Sequence, residues 1–209
     1  MLQGIGPMKK TVKNYIHLII LALPIIGISG LYSQYPWDKE TYESLIHISG
    51  ELSIRLLILT LLITPVLSLF PQSKFWKWMR RYRKDFGLAS FCYLVIHLSV
   101  YLIHLPKASQ ILKELYQATY FAGWAAFVLM VILALTSHTY FIRKLGFVHW
   151  KNIQRSVYVV AFLSAMHWLL KEKFEPLPVL VHFVPLVLLE LVRIRQNFTK
   201  KSKKQIIKG

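Results

Sequence analysis

Six apolar stretches, each near the length that crosses a bilayer, divide this chain and leave only short connections between them: residues 15–31, 45–70, 86–105, 120–141, 153–170 and 177–192. About 20 apolar residues in a helix span a hydrocarbon core, and within that core each segment must satisfy its own backbone hydrogen bonds. In a chain of 209 residues that is 55% hydrophobic, this spacing leaves no room for a separate soluble domain. The sequence therefore predicts an all-α, polytopic membrane protein with a six-transmembrane-helix bundle over residues 15–192. A short amino-terminal segment, 1–14, and a basic tail, 193–209, flank it. Glu51 and Arg55 stand near the start of the second stretch, four apart on one helical face, and are expected to form an internal ion pair.

The formal net charge of +17 is distributed by side rather than by patch. Lys9, Lys10 and Lys13, the second connection (Lys74 to Lys84), the fourth connection (Arg143 to Arg155) and the tail (Arg193 to Lys208) all fall on one side of the bundle. Only Lys39, Lys107, Lys113, Lys171 and Lys173 fall on the other. By the positive-inside rule both termini are expected to be cytoplasmic. The run Phe75-Trp76-Lys77-Trp78-Met79-Arg80-Arg81-Tyr82 could stack nucleic-acid bases, but beside an apolar span it reads as an anchor to lipid headgroups, and no nucleic-acid partner is expected. The tail from Thr199 to Lys208 reads as a disordered end drawn to headgroups.

Prolines punctuate the stretches at Pro36, Pro71, Pro106 and Pro176, whereas Pro24, Pro65 and Pro185 lie inside them and predict kinks. Cys92 is the only cysteine, which excludes an internal disulfide and thiol redox chemistry. The first stretch follows three lysines but has no clear small-x-small cleavage site, so it is expected to be retained. Residues 1–7 read as a vector-derived extension ahead of Met8.

His97 and His167 lie within the third and fifth stretches, where a lipid-facing imidazole is costly. A single buried histidine is ordinarily a packing residue; two at matching depth are different. Both stretches run from the cytoplasmic to the outer side, and at 1.5 Å per residue His97 lies roughly 16 Å from Phe86 and His167 roughly 21 Å from Ile153. Both imidazoles thus fall in the outer half, where they can clamp one haem iron from opposite faces. Leu94, Tyr101, Phe162 and Leu163 are expected to pack the macrocycle. His104, one heptad beyond His97, is the rival ligand on the third stretch. His47, at the outer start of the second, reads as a ligand, a propionate or quinone contact, or an interfacial residue. His17, His138, His149 and His182 read as structural. No His, Asp and Glu spacing matches a zinc or di-iron site.

Together with their order and spacing, Ile46-His47-Ile48-Ser49-Gly50, Leu59 to Pro65, Gly87-Leu88 to Ile96-His97-Leu98, Leu135-Thr136-Ser137, Arg143-Lys144-Leu145-Gly146 and Val157-Tyr158 to His167 resemble the MsrQ (YedZ) family. Its members are haem-binding membrane subunits within the ferric-reductase-like transmembrane superfamily, and the resemblance runs from about Tyr42 to Trp168. It implies a bacterial inner-membrane cytochrome b that takes electrons from the quinone pool or a cytoplasmic flavin reductase. The electrons pass to a periplasmic molybdopterin methionine sulfoxide reductase (MsrP-like) that repairs oxidised envelope proteins. The family's haem ligands carry over to His97 and His167, with haem b as cofactor; FMN is also attributed to the family, though no residues here point to its site.

One departure bears on the haem count. Where the family has a histidine at the cytoplasmic start of the fifth span, this chain reads Trp150-Lys151-Asn152-Ile153-Gln154, and fourteen residues before His97, where two-haem relatives carry another histidine, stands Arg83. One haem is therefore expected. Arg83 and Gln154 are left to hold propionates, a flavin phosphate or a quinone carbonyl, and His149 is the substitute ligand if the helix shifts locally. Two other readings stand beside this one: a ferric-reductase-like or other cytochrome b subunit with a different partner, and a non-enzymatic membrane transporter or scaffold whose histidines pack or relay protons.

Overall fold

A computed structural model describes residues 39–104, 108–171 and 175–206, together with Ile19, Ile20, Ala22 and Pro24. Apart from those four residues, the first predicted stretch, the amino-terminal segment and His17 lie outside the described residues. The helices are α1 (Lys39–Leu69), α2 (Lys74–Met79), a 3₁₀ turn (Arg80–Tyr82), α3 (Arg83–His104), α4 (Ala108–Leu115) and α5 (Ala118–Thr136). They continue as α6 (Thr139–Leu145), α7 (Phe147–Arg155), α8 (Val157–Lys171) and α9 (Leu177–Ile206).

Among the described residues, five helical stretches are long and apolar enough to cross a membrane: Lys39–Leu69, Lys74–Ile103, Ala118–Thr136, Phe147–Lys171 and Leu177–Thr199. They coincide with the second to sixth predicted stretches, with shifted ends. The fourth stops at Thr136 because Ser137 caps the helix, its N–H reaching the carbonyls of Ala134 and Leu135. The fifth is interrupted at Ser156, whose hydroxyl turns back onto the carbonyl of Ile153 at 2.8 Å. The tail departs from expectation: instead of becoming disordered at Thr199, α9 runs on to Ile206. After Pro185 the helix meets no further glycine or proline before Gly209, and its lysines and glutamine are good helix formers.

The surface is apolar, as lipid contact requires. On α5, Phe121, Val128, Ile132 and Leu135 are exposed, and on α9 Val181, Val184, Leu188 and Leu191 are too. Only 11% of the apolar window of α9 is buried within the bundle, so most of it lies on the outside of the described helices. The chain is a multi-pass membrane protein.

Inside, Leu57, Ile58 and Leu61 of α1 pack with Ala126, Met130 and Leu133 of α5, Val160 and Ala161 of α8 and Leu186 of α9. Antiparallel α1 and α3 are tied at three places in one register. His97 meets the carbonyl of Ile46; Ser53 and Ser90 exchange hydroxyl-to-carbonyl bonds at 2.9 and 2.8 Å; and Arg83 Nε donates to the carbonyl of Thr60 at 3.0 Å. Each tie is seven residues from the next on both helices. A heptad step returns to nearly the same face, so one stripe of each helix carries these ties, and the serines let the backbones approach closely. Ring contacts Phe91–Phe127 and Tyr101–Tyr120 set α3 antiparallel to α5, and α8 in turn runs antiparallel to α5. The helices bearing His97 and His167 therefore run the same way.

Candidate metal centre

The structure brings His97 of α3 and His167 of α8 together, their ring centroids 6.4 Å apart and their planes perpendicular at 87°. In each ring Nδ1 lies against a backbone carbonyl of a third helix: 2.9 Å to Ile46 for His97 and 2.8 Å to Thr119 for His167. A carbonyl only accepts, so Nδ1 carries the proton in both, and each Nε2 keeps its lone pair for a metal. Two imidazoles on opposite sides of one metal, with metal–nitrogen bonds of about 2 Å, have ring centres roughly 6 Å apart once the two ring radii are added. The observed spacing fits that arrangement.

Both histidines line a cavity of about 590 Å³, a size suited to an organic cofactor. Its walls are apolar and aromatic, with Leu57, Leu94, Trp124, Phe127, Met130 and Val160 among them, and its polar groups include Tyr42, Glu51, Tyr101, Glu114, Tyr120 and Lys171. Several of these are already engaged. Tyr101 donates to Glu114, Lys171 lies 3.3 Å from the Tyr120 hydroxyl and over its ring, and Glu51 forms the expected ion pair with Arg55. Arg55 also donates to His182 Nε2 at 3.3 Å, while His182 Nδ1 donates to the carbonyl of Pro178 at 2.7 Å, so His182 is a packing link between α1 and α9. Of the expected macrocycle contacts, Leu94 and Tyr101 line the cavity. Phe162 does not: it is 65% exposed, because it falls on the lipid side of α8. Leu163 packs in the core instead.

The family model described as the ferric reductase like transmembrane component matches residues 49–165. Relatives named protein-methionine-sulfoxide reductase heme-binding subunit MsrQ match most of the chain. The one from Herminiimonas arsenicoxydans is 33% identical over 168 residues, 77% of this chain and 74% of the relative. The one from Rhizobium meliloti is 33% identical over 158 residues, 74% and 70% respectively, and that from Brucella ovis 31% over 181 residues, 85% and 77%. The chain belongs to the MsrQ family. No solved structure matches it.

In this MsrQ-family chain the remaining sequence-predicted residues separate from the histidine pair. His47 lines the cavity, exposed at its edge. His104 closes α3, and its side chain lies outside the described residues. His149 is exposed on α7. Arg83 and Gln154 do not line the cavity. Arg83 donates Nε to the carbonyl of Thr60 and Nη1 to the Thr64 hydroxyl, both at 3.0 Å. Gln154 donates Nε2 to the Thr136 hydroxyl at 2.9 Å and to the carbonyl of Leu133 at 3.3 Å. They nevertheless mirror the histidines: Thr60 lies fourteen residues after Ile46 on α1, and Leu133 fourteen after Thr119 on α5. The same two partner helices thus receive a pair of side chains at each end, imidazoles at one and the hydrogen-bonded Arg83 and Gln154 at the other. Further in, Glu190, buried, pairs with Arg193 at 2.7 Å, and the Tyr158 hydroxyl joins both.

Sequence reasoning missed Ile46, Thr119 and the glycines beside the two rings, Gly50 and Gly123. Lone glycines inside apolar helices were a visible signal for Gly50 and Gly123, and Ile46 and Gly50 also stand in the segment that carries the family resemblance.

Proposed function

We propose that this chain is a cytochrome b subunit of the bacterial inner membrane, in which His97 and His167 would hold one haem b in the outer half. It delivers electrons to a periplasmic molybdopterin methionine sulfoxide reductase. The observation that carries the reading is the pair of imidazoles from parallel helices, each with Nδ1–H tied to a carbonyl, facing each other 6.4 Å apart across a largely apolar cavity. The names of the MsrQ relatives support haem as the group between them.

When bound, haem supplies one-electron redox chemistry, tuned by its axial ligands and burial. The chain's own residues do the rest. His97 and His167 present neutral Nε2 atoms and hold them still through their carbonyl bonds. Leu94, Phe127 and Met130 exclude water from the macrocycle, and Lys171 is the cation on the cavity lining for a propionate. The basic ends of α2, α6 and α7 lie on the cytoplasmic side, with both termini, which puts the histidine pair toward the periplasm.

Arg83 and Gln154 occupy the inner positions and are committed within the bundle, so the chain holds one haem and no inner carrier. A membrane quinol, reaching the outer half laterally, is then the donor that needs no inner relay, in preference to a cytoplasmic flavin reductase. The test is reconstitution. Ferric protein in vesicles is expected to be reduced by a water-insoluble quinol and reoxidised when a periplasmic methionine sulfoxide reductase and methionine sulfoxide are added. Reduction by a flavin reductase alone would replace the quinol as donor, and absence of reoxidation would remove the proposed acceptor.

A further inference from the structure

The two histidine seats share a construction that the ligand assignment alone does not require. A carbonyl inside a helix already accepts the N–H four residues on, so a second donor must reach it from the side, over the Cα of that residue. His97 reaches the carbonyl of Ile46, and four residues on stands Gly50; His167 reaches that of Thr119, and four residues on stands Gly123. A Cβ at Gly50 would lie 3.0 Å from Cε1 and Nδ1 of His97, and one at Gly123 would lie 2.9 Å from Nδ1 of His167. With a Cβ at Gly123 something at the His167 ring would have to shift, and with one at Gly50 the His97 ring would have to give by a few tenths of an ångström. Gly87, on the same bundle, is different: its Cβ would meet only Thr60 Cγ2, at an ordinary 3.7 Å. At the mirrored inner seats the corresponding residues are Thr64 and Ser137, and the donors there are the flexible Arg83 and Gln154, which can reach past a Cβ.

We propose that Gly50 and Gly123 are positioning residues that fix the two ligand imidazoles with perpendicular planes, and thereby set the electronic structure of the iron between them. This rests on the haem reading. Each ring is held against a different helix, His97 against α1 and His167 against α5, and the planes stand at 87° to one another. An imidazole donates π density chiefly to the iron d orbital perpendicular to its own plane. Perpendicular rings therefore treat two such orbitals alike and leave them nearly degenerate, whereas parallel rings split them. The ferric, low-spin state then has a strongly anisotropic magnetic signature.

The experiment is low-temperature EPR of the oxidised full-length protein, with haem quantified per chain, on the wild type, Gly50→Ala, Gly123→Ala and, as control, Gly87→Ala. The wild type and Gly87→Ala are expected to share a signal whose largest g value lies well above that of parallel-plane bis-histidine haems. Gly50→Ala and Gly123→Ala are expected either to move that value down or to lose haem while keeping the wild-type helical circular dichroism. A wild-type signal of the parallel kind overturns the proposal, as do alanine variants with wild-type haem content and an unchanged signal. If neither alanine variant can be purified folded, the wild-type signal decides alone. A wild type that binds no haem removes the underlying reading instead, so the two failures are told apart.

Discussion

At one end of the α1–α3 pair a histidine donates to a carbonyl of α1, and fourteen residues back along α3 an arginine does the same. The partner helices α5 and α8 repeat the pattern with His167 and Gln154. The difference lies in what remains after the tie is made. An imidazole spends one nitrogen and keeps the other, held in a fixed direction. Arg83 and Gln154 have donors and no vacant metal-binding lone pair on nitrogen, and what they donate goes to the bundle itself. One interhelical scaffold thus leaves a free imidazole nitrogen at the histidine end and serves as a fastening at the Arg83 and Gln154 end.

Substitutions at the two ends are expected to separate these roles. The largest effect belongs to His97→Ala and His167→Ala, each of which should abolish the haem absorption spectrum in a protein that still folds as a helical bundle; unchanged spectra in both would end the ligand assignment. Arg83→Met comes next. It removes two hydrogen bonds from a charged donor and should lower stability in detergent by about 1–3 kcal/mol while leaving haem content as in the wild type. Loss of haem in this variant would break the comparison, since it would make the inner end part of the cofactor site. Ser53→Ala with Ser90→Ala, which cuts the tie midway between the ends, should cost about 1 kcal/mol, because interhelical hydrogen bonds in membranes are worth roughly 0.6 kcal/mol each. Thermal melts followed by circular dichroism read both. The smallest effect is expected at the histidines outside the pair: His149→Ala, on an exposed face of α7, should leave the spectrum unchanged, and a lost or altered haem band would reopen it as a ligand.

These expectations also mark how far the sequence could be read. Hydropathy located the membrane helices because lipid imposes an average property over some twenty residues, and counting along two helices of like direction matched the depths of His97 and His167. Neither count carries the rotation of one helix against another. That is why Phe162 was expected on the macrocycle and faces lipid, and why Ile46 and Thr119 could not be named as the carbonyls that hold the rings. The Ile46-to-Gly50 and Thr119-to-Gly123 offsets are visible once the seats are known, but a glycine four residues after any given position has no meaning until a ring is found lying over it. Arg83 and Gln154 were legible as departures from a family pattern; their use as bundle fastenings needed Thr60, Thr64 and Thr136 beside them. The charge of the tail suggests disorder, whereas its residues favour the helix that α9 forms through Ile206.

The central claim is that one outer pair of imidazoles, and no inner pair, makes this chain a carrier of electrons. It is tested most directly by a reduced-minus-oxidised visible spectrum of the purified protein, with haem b quantified per polypeptide after expression with ample haem. One low-spin haem per chain is the expected result. Two haems per chain would contradict the closed inner end, and none would contradict the electron-transfer reading altogether.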